Sequence, residues 1–160
     1  MASTKNTKST DALTGIILSI FRLNAQLLEK GNKLVSPIGL TSSRWQILGA
    51  ISLADKPQTA PQVAAAMGIT RQGAQKQLNL AVADGLVTSM ANPKHERSPL
   101  YTLTAKGEET FDAAMALHHV WMRRLEKMLP PADILTARQM IVALENQLHV
   151  TPLPLPGNKS

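Results

Sequence analysis

The sequence predicts a mainly α-helical fold that contains one small β hairpin. Apolar residues recur at helical spacing along most of the 160-residue chain. Only residues 87–91 and 100–103 form short runs with the character of strands. The residues between these runs are polar apart from two prolines, so they favour a hairpin loop over a helix.

The first predicted helix is long and amphipathic. Its apolar side chains recur at helical spacing, and we expect the helix to end near Gly31. The residues that define this pattern are Leu13, Ile16, Ile17, Ile20, Leu23, Leu27 and Leu28. The preceding residues 1–10 are rich in Ser, Thr, Lys and Asn, a composition typical of a disordered tail.

Two shorter helices are predicted next, each with its own boundary signals. Thr41 is placed to cap the second helix, and Pro57 lies beyond its end. Thr59 and Gln62 have the spacing of a capping box at the start of the third helix, which Gly68 ends. The predicted apolar face of the second helix comprises Trp45, Ile47, Leu48 and Ile51.

A long helix and a final helix are predicted after the hairpin. Thr104 is placed to cap the long helix, which covers about residues 105–128 and ends before Pro130. One stripe of this helix carries Phe111, Met115, His118, Met122 and Leu125. The last helix carries Leu135, Met140, Ile141, Leu144 and Leu148. Residues 151–160 contain three prolines and one glycine, which predicts a flexible tail.

The order of these elements predicts a winged helix-turn-helix flanked by long dimerisation helices. Two short helices joined by a tight glycine turn and followed by a hairpin have this arrangement. We expect one domain over residues 11–150, with a DNA-binding part at about residues 41–104. The flanking residues 11–35 and 105–150 have broad apolar faces that need a partner, and a second copy of the chain is the simplest one.

The fourth helix, which begins after Thr70 and ends before Gly85, carries the strongest functional signal. We expect its inward face to comprise Ala74, Leu78, Ala81 and Val82. The opposite face carries Arg71, Gln72, Gln75, Lys76 and Asn79, with two cations and no carboxylate. Arg and Lys suit guanine edges and phosphates, whereas Asn and Gln can pair with adenine. The alternative is a solvated helix face, but such faces usually mix Glu with Lys.

The hairpin loop adds a second set of basic side chains. Lys94, His95 and Arg97 lie at its tip, where a wing can reach a minor groove. Arginine favours the negative potential of narrow A·T-rich grooves, so we expect Arg97 to be the inserting residue. The alternative is a solvated turn, and the neighbouring Glu96 weakens the DNA-binding interpretation slightly.

The overall composition is consistent with a nucleic-acid partner. The formal net charge is +6 and the pI is about 9.9, which favours a polyanion such as nucleic acid or an anionic membrane surface. The absence of Cys excludes disulfides, thiolate catalysis and cysteine-based zinc sites. No signal peptide is evident, and unbroken apolar stretches such as residues 15–20 are too short to span a bilayer. We therefore expect a soluble cytoplasmic protein.

Four residues are candidates for binding a small-molecule effector. Trp45, His118 and Trp121 could line a pocket, and Arg44 could pair with a ligand carboxylate. The favoured alternative is that the tryptophans are core or interface residues and that the histidines are partly exposed.

Metal binding, cofactors and catalysis have little support in the sequence. No two of the four histidines have the i, i+4 spacing that places two imidazoles on one helical face. The chain has no phosphate-binding glycine loop, no nucleophile elbow and no zinc-protease motif. We therefore expect no metal site and no enzymatic activity.

Three stretches together resemble the MarR family of regulators. They are LTSSRWQILGAI at residues 40–51, TAPQVAAAMGITRQGAQKQLNLAVADGLV at residues 59–87 and NPKHERSPLYTLTAKG at residues 92–107. The resemblance implies an obligate homodimer that binds pseudo-palindromic promoter DNA, more often as a ligand-responsive repressor than as an activator. This chain differs from the family pattern in the wing. His95 stands where the family usually has an aspartate, and Arg97 stands at the position of the family's wing arginine.

A winged helix can also serve protein–protein contacts, because a fold does not determine function. This alternative predicts binding that changes little with salt, whereas binding through several phosphates weakens steeply as salt increases.

Overall fold

The computed structural model describes the backbone of residues 2–153 and the side chains of residues 8–153. Six α-helices, three short strands and one 3-10 turn, Ser36–Ile38, make up this part of the chain. In chain order the helices and strands are α1 (Ala2–Val35), α2 (Ser42–Ser52), β1 (Gln58–Thr59), α3 (Ala60–Met67), α4 (Arg71–Ala83), β2 (Val87–Met90), β3 (Leu100–Leu103), α5 (Ala105–Glu126) and α6 (Pro131–Val150). The predicted fold class is confirmed.

The capping residues predicted at the starts of α2, α3 and α4 make the expected hydrogen bonds. Thr41 accepts a hydrogen bond from the Arg44 amide at 3.3 Å, and Thr70 accepts one from the Gly73 amide at 3.0 Å. Gln62 Oε1 accepts a hydrogen bond from the Thr59 amide at 2.8 Å, which completes the predicted capping box. These local interactions set the starts of α2, α3 and α4 because they satisfy amides that a helix leaves unpaired.

The first helix differs from its prediction at both ends. It begins at Ala2, so residues 2–10 are helical where we predicted a disordered tail. No Pro or Gly lies in residues 2–14, so nothing in the sequence interrupts the helix there. The helix also continues past Gly31 to Val35, because Gly31 is buried beside the Ser42 side chain and provides close packing rather than a helix end.

The strands form a three-stranded antiparallel sheet in the order β1-β3-β2. Val87 is paired with Leu103 and Met90 with Leu100, which confirms the predicted hairpin. Strand β1 was not predicted, because its two residues are too few to show an alternating pattern. It forms by pairing with β3, with Gln58 opposite Tyr101.

The described chain divides into two compact units, and the boundary between them follows His118. The first unit contains the core, in which the largest fully buried side chains are Ile47, Leu48, Leu78, Val35, Val63 and Val87. Val82 is 37% exposed, although we predicted that it faces the core. The buried arc of α4 is narrower than predicted and comprises Ala74, Leu78 and Ala81.

The second unit contains the end of α5 and all of α6. Helix α5 ends at Glu126, slightly before the predicted end near residue 128, and α6 begins at Pro131. Every side chain of α6 is exposed in the single chain except the half-buried Leu144. The predicted flexible tail falls mostly at residues 154–160, which lie outside the described residues.

Helix α1 is long and apolar enough to cross a membrane by length and composition alone, over residues 8–38. We predicted no such segment because unbroken apolar runs are short, but the apolar residues of α1 are spread over many turns. A helix that buries one face against a protein partner passes the same test, so this property is weak support for a membrane segment.

Candidate nucleic-acid interface

Helix α4 is attached to the core along one face and exposed along the other. Ala74, Leu78 and Ala81 are fully buried and fix the rotation of the helix about its axis. The opposite face places Thr70, Arg71, Gln72, Lys76 and Asn79 in solvent, and Gln75 is half-buried. The structure therefore brings all six predicted residues of this helix onto one side. No Asp or Glu occurs within Arg71–Ala83, so this side has no carboxylate of its own.

Gln75 has internal hydrogen-bond partners. Its Nε2 donates to Asn79 Oδ1 at 2.8 Å and to the Tyr101 hydroxyl at 2.9 Å. A side-chain amide nitrogen carries two hydrogens, so both donors of Gln75 are used within the chain. Gln75 can therefore pair with adenine through both amide atoms only by giving up one of these bonds.

The tip of the wing is organised around Asn92, which is 7% exposed. Its Nδ2 donates to the Ser98 carbonyl at 2.8 Å, and its Oδ1 accepts from the Lys94 amide at 3.0 Å. Two backbone bonds close the loop further, from His95 to Asn92 and from Ser98 to His95. This role of Asn92 does not follow from the predicted hairpin alone, although an Asn before Pro in a loop is a known turn signal.

A cleft of about 850 Å³ runs between the wing and the starts of α3 and α4. Arg71, Lys94 and Arg97 all line it, so the structure brings the predicted wing residues together with the first residue of α4. His95 and Lys56 also line it, and Lys56 was not singled out from the sequence. No carboxylate is among the lining residues, which gives the cleft an unbalanced positive charge suited to phosphates.

The candidate effector residues divide into separate groups. Arg44 contacts Asp84 through an ion pair of 2.5 Å, so its guanidinium already has a carboxylate partner. Trp45 and His118 stack edge to face with ring centroids 5.4 Å apart. Trp121 is half-buried and belongs to the second unit. Among the described residues, no group of three or more His, Asp or Glu is placed to hold a metal ion.

A helix-turn-helix, an exposed basic helix and a basic wing together define a winged-helix DNA-binding protein. The sequence profile described as the MarR family matches residues 38–98. Two uncharacterized proteins, one from Mycobacterium bovis and one from Mycobacterium tuberculosis, are each 34% identical to the chain over 139 residues. Each alignment covers 84% of this chain and 96% of the relative.

Two solved structures agree with this assignment. A MarR family transcription regulator has a TM-score of 0.75 and 25% identity, over 89% of this chain and 94% of that chain. The M. tuberculosis transcriptional regulator MOSR, crystallised in complex with DNA, has a TM-score of 0.70 and 26% identity, over 86% and 98% of the two chains. The chain belongs to the MarR family of winged-helix, DNA-binding transcriptional regulators.

Proposed function

We propose that the protein is a cytoplasmic, ligand-responsive repressor that binds pseudo-palindromic promoter DNA as a homodimer and has no enzymatic activity. The observation that supports DNA binding most directly is the exposed, carboxylate-free side of α4 beside the basic cleft. A face with this composition attracts phosphates and offers donors to base edges, whereas a surface for protein partners has no need of it.

We assign different roles to the residues of this face. Arg71, Gln72 and Lys76 would contact bases and phosphates in the major groove, because a recognition helix uses mainly its N-terminal part. Thr70 caps the helix and lies at the same end, where it would contact the DNA backbone. Asn79 would contact DNA one turn further along, and Gln75 would hold Asn79 in place.

In the wing, Arg97 would enter the minor groove and Lys94 would contact the flanking phosphates. The bonds made by Asn92 support this assignment, because a fixed loop loses less conformational entropy when it binds.

Homodimerisation is supported by the apolar surface of the flanking helices. Large side chains are exposed on both helices in the single chain: Leu18 at 51% and Phe21 at 70% on α1, and Leu135 at 63% and Leu148 at 69% on α6. A soluble protein rarely leaves such faces open to water. A second copy would cover them, and its two-fold symmetry would place two recognition helices against a pseudo-palindrome.

Ligand response is supported by the arrangement around α2 and by a structural neighbour. Regulator CouR from Rhodococcus jostii RHA1, 21% identical with a TM-score of 0.70, was crystallised bound to p-coumaroyl-CoA. In the present chain, Trp45 and His118 provide aromatic surface. Arg44, whose guanidinium is paired with Asp84, is a separate candidate contact for an anionic group. We include Trp121 among the candidate effector contacts.

The test is selection of genomic DNA by the purified protein. Fragments retained at near-physiological salt should contain an inverted repeat whose half-sites lie about one helical turn apart. Binding should weaken steeply as salt increases. If a folded, dimeric preparation retains no sequence preferentially in the presence or absence of added cell metabolites, the proposal is wrong and a winged helix for protein contacts becomes the better explanation.

The variant Lys76→Glu tests the assigned helix. It should abolish binding to the recovered operator while the dimer persists in sedimentation, because it places a carboxylate against phosphate. Lys127→Glu is a control with the same charge change on an exposed residue outside the proposed DNA interface, and its dimer is checked in the same sedimentation experiment. Normal operator binding by Lys76→Glu would show that the helix is assigned wrongly.

A further inference from the structure

The exposed side of α4 is joined to the interior of the protein by a short chain of hydrogen bonds. Tyr101 is buried in the central strand β3, where its backbone position lies between Gln58 of β1 and Ser89 of β2. Its hydroxyl accepts a hydrogen bond of 2.9 Å from Gln75 Nε2, and the same nitrogen donates to Asn79 Oδ1 at 2.8 Å. The chain of bonds therefore leads from a buried side chain, through the half-buried Gln75, to the exposed Asn79.

The two amides in this chain constrain each other. Both hydrogens of Gln75 Nε2 are used in its two bonds. Turning the Gln75 amide over would bring its oxygen towards Asn79 Oδ1, and two carbonyl oxygens cannot form a hydrogen bond with each other. Turning over the Asn79 amide alone would likewise place two nitrogen donors against each other. Reversal of either amide alone breaks the bond between them, so the two amides can reverse only together.

The direction of the chain determines which atom of Asn79 is offered to a base. The oxygen and the nitrogen of an amide lie on opposite sides of its carbon atom, so Nδ2 is directed away from Gln75 when Oδ1 accepts from it. Nδ2 belongs to an exposed side chain and donates to no described residue. An unconstrained Asn pairs with adenine through both amide atoms, at N6 and N7. With Oδ1 turned towards Gln75, Asn79 presents a donor, which needs an acceptor on the base.

We propose that Asn79 selects a keto base, guanine or thymine, over an amino base, adenine or cytosine, at the operator position that it contacts. Guanine O6 and thymine O4 are acceptors in the major groove, whereas adenine N6 and cytosine N4 are amino donors at the corresponding places. A donor of Asn79 against an amino group leaves both unpaired, which disfavours the amino bases. Gln75 and Tyr101 are positioning residues, because they hold the Asn79 amide in this orientation. The proposal rests on the DNA binding proposed above and adds a base preference to it.

The first experiment selects binding sites from random double-stranded DNA with the parent protein and with Asn79→Ala. A position whose base preference is lost in Asn79→Ala is the position that Asn79 contacts. There the parent should favour keto over amino bases by at least about fivefold, the lower end of the usual cost of one mismatched base pair. Positions identified in the same way with Arg71→Ala provide the internal reference.

Gln75→Glu tests the direction of the chain. The carboxylate of the new side chain only accepts hydrogen bonds, so it would accept from Asn79 Nδ2 and turn Oδ1 towards the base. The preference at the Asn79 position should then change from keto to amino bases, while the preference at the Arg71 positions is kept. Overall affinity should fall because the variant adds a negative charge beside DNA.

Tyr101→Phe tests the inner end of the chain. Loss of the hydroxyl should reduce the ratio of keto to amino binding at the Asn79 position at least about threefold, within the range of one hydrogen bond. A loss of stability alone would not change this ratio at one position and spare the Arg71 positions. Thr102→Val is the matched control, because it removes a hydroxyl from the next residue of β3, whose side chain points to the opposite face of the sheet.

A third measurement needs no DNA. In the free parent protein, the side-chain amide hydrogens of Gln75 should exchange with water at least about threefold more slowly than those of the exposed Gln72, because both are hydrogen-bonded within the chain. The difference should shrink in Tyr101→Phe. Equal exchange of the two side-chain amides in the parent would overturn the proposal.

The selection gives three further results that would overturn it. They are an amino preference of the parent at the Asn79 position, an operator in which no position depends on Asn79, and a keto preference that is unchanged in Gln75→Glu or in Tyr101→Phe. If one of these variants fails to fold, the other decides. Recovery of no preferred sequence at all would instead contradict the proposed DNA-binding function, so the two failures are distinguishable.

Discussion

Gln75 Nε2 donates a hydrogen bond of 2.9 Å to the hydroxyl of Tyr101, which connects α4 to the central strand of the wing sheet. Tyr101 is only 4% exposed, so its hydroxyl is held at a fixed position by the strand and the core. The same nitrogen of Gln75 donates to Asn79 Oδ1 at 2.8 Å. Two side chains on the exposed side of α4, Gln75 and Asn79, are therefore linked to the wing sheet by hydrogen bonds.

Tyr101→Phe removes this hydroxyl and keeps the ring in the core. We expect the free energy of unfolding to fall by about 1 kcal/mol, the usual net contribution of one hydrogen bond. Operator affinity should also fall, because Gln75 and Asn79 lose their fixed orientation and must be ordered on binding. Urea unfolding and fluorescence anisotropy with the recovered operator measure the two effects. An unchanged dissociation constant would show that the contact does not prepare the face for DNA.

Asn92→Ala should loosen the tip of the wing. The substitution removes the acceptor for the Lys94 amide and the donor to the Ser98 carbonyl. We expect a loss of about 0.5–1.5 kcal/mol for each bond, the usual net contribution of a hydrogen bond, because water can reach the exposed Lys94 and the half-buried Ser98. Amide hydrogen exchange at Ser98 should accelerate, and operator affinity should fall although no charge is changed. Lys94→Ala is the complementary variant, which removes charge and keeps the loop. If exchange at Ser98 is unaffected, Asn92 does not organise the wing.

The elements that the sequence predicted well are those determined by neighbouring residues. Thr70 caps the start of α4, as predicted. Gly85 follows the end of α4 and has the positive φ that favours glycine there. The exposed positions of Arg71 and Lys76 also follow from helical periodicity together with the burial of Leu78. Their contacts with DNA stay a prediction.

The features that the sequence did not predict depend on residues distant in the chain. The bond between Gln75 and Tyr101 spans 26 positions, so no local pattern contains it. Arg44 was considered a candidate for a ligand carboxylate, and its ion pair with Asp84 becomes visible only when α2 and α4 are packed. Strand β1 likewise exists because β3 provides a partner for it.

Leu148→Asp tests the proposed dimer through α6. This side chain is 69% exposed in the single chain, and burying a carboxylate in an apolar interface is unfavourable. A two-fold dimer contains the change twice, so we expect dimerisation to weaken at least about 100-fold in sedimentation equilibrium. Gln147→Asp introduces the same group at the adjacent exposed position and should have a smaller effect. Equal dimer dissociation constants for Leu148→Asp and the parent would place the interface elsewhere.

Gly107 tests the packing of the start of α5 against the backbone of Leu86, which precedes β2, and Gly15 of α1 is its control. A Cβ atom at Gly107 would overlap the backbone carbonyl oxygen of Leu86, which no side-chain rotation can relieve, whereas nothing lies within 4 Å of a Cβ atom at Gly15. Gly107→Ala should therefore destabilise the protein by about 1–3 kcal/mol or more, the cost of overpacking. Gly15→Ala should stabilise it by about 0.5–1 kcal/mol, because alanine favours the helix interior. Urea unfolding at one fixed protein concentration measures both. Equal stability of Gly107→Ala and the parent would mean that α5 can move away from Leu86 at little cost, and that its start is not fixed by this contact.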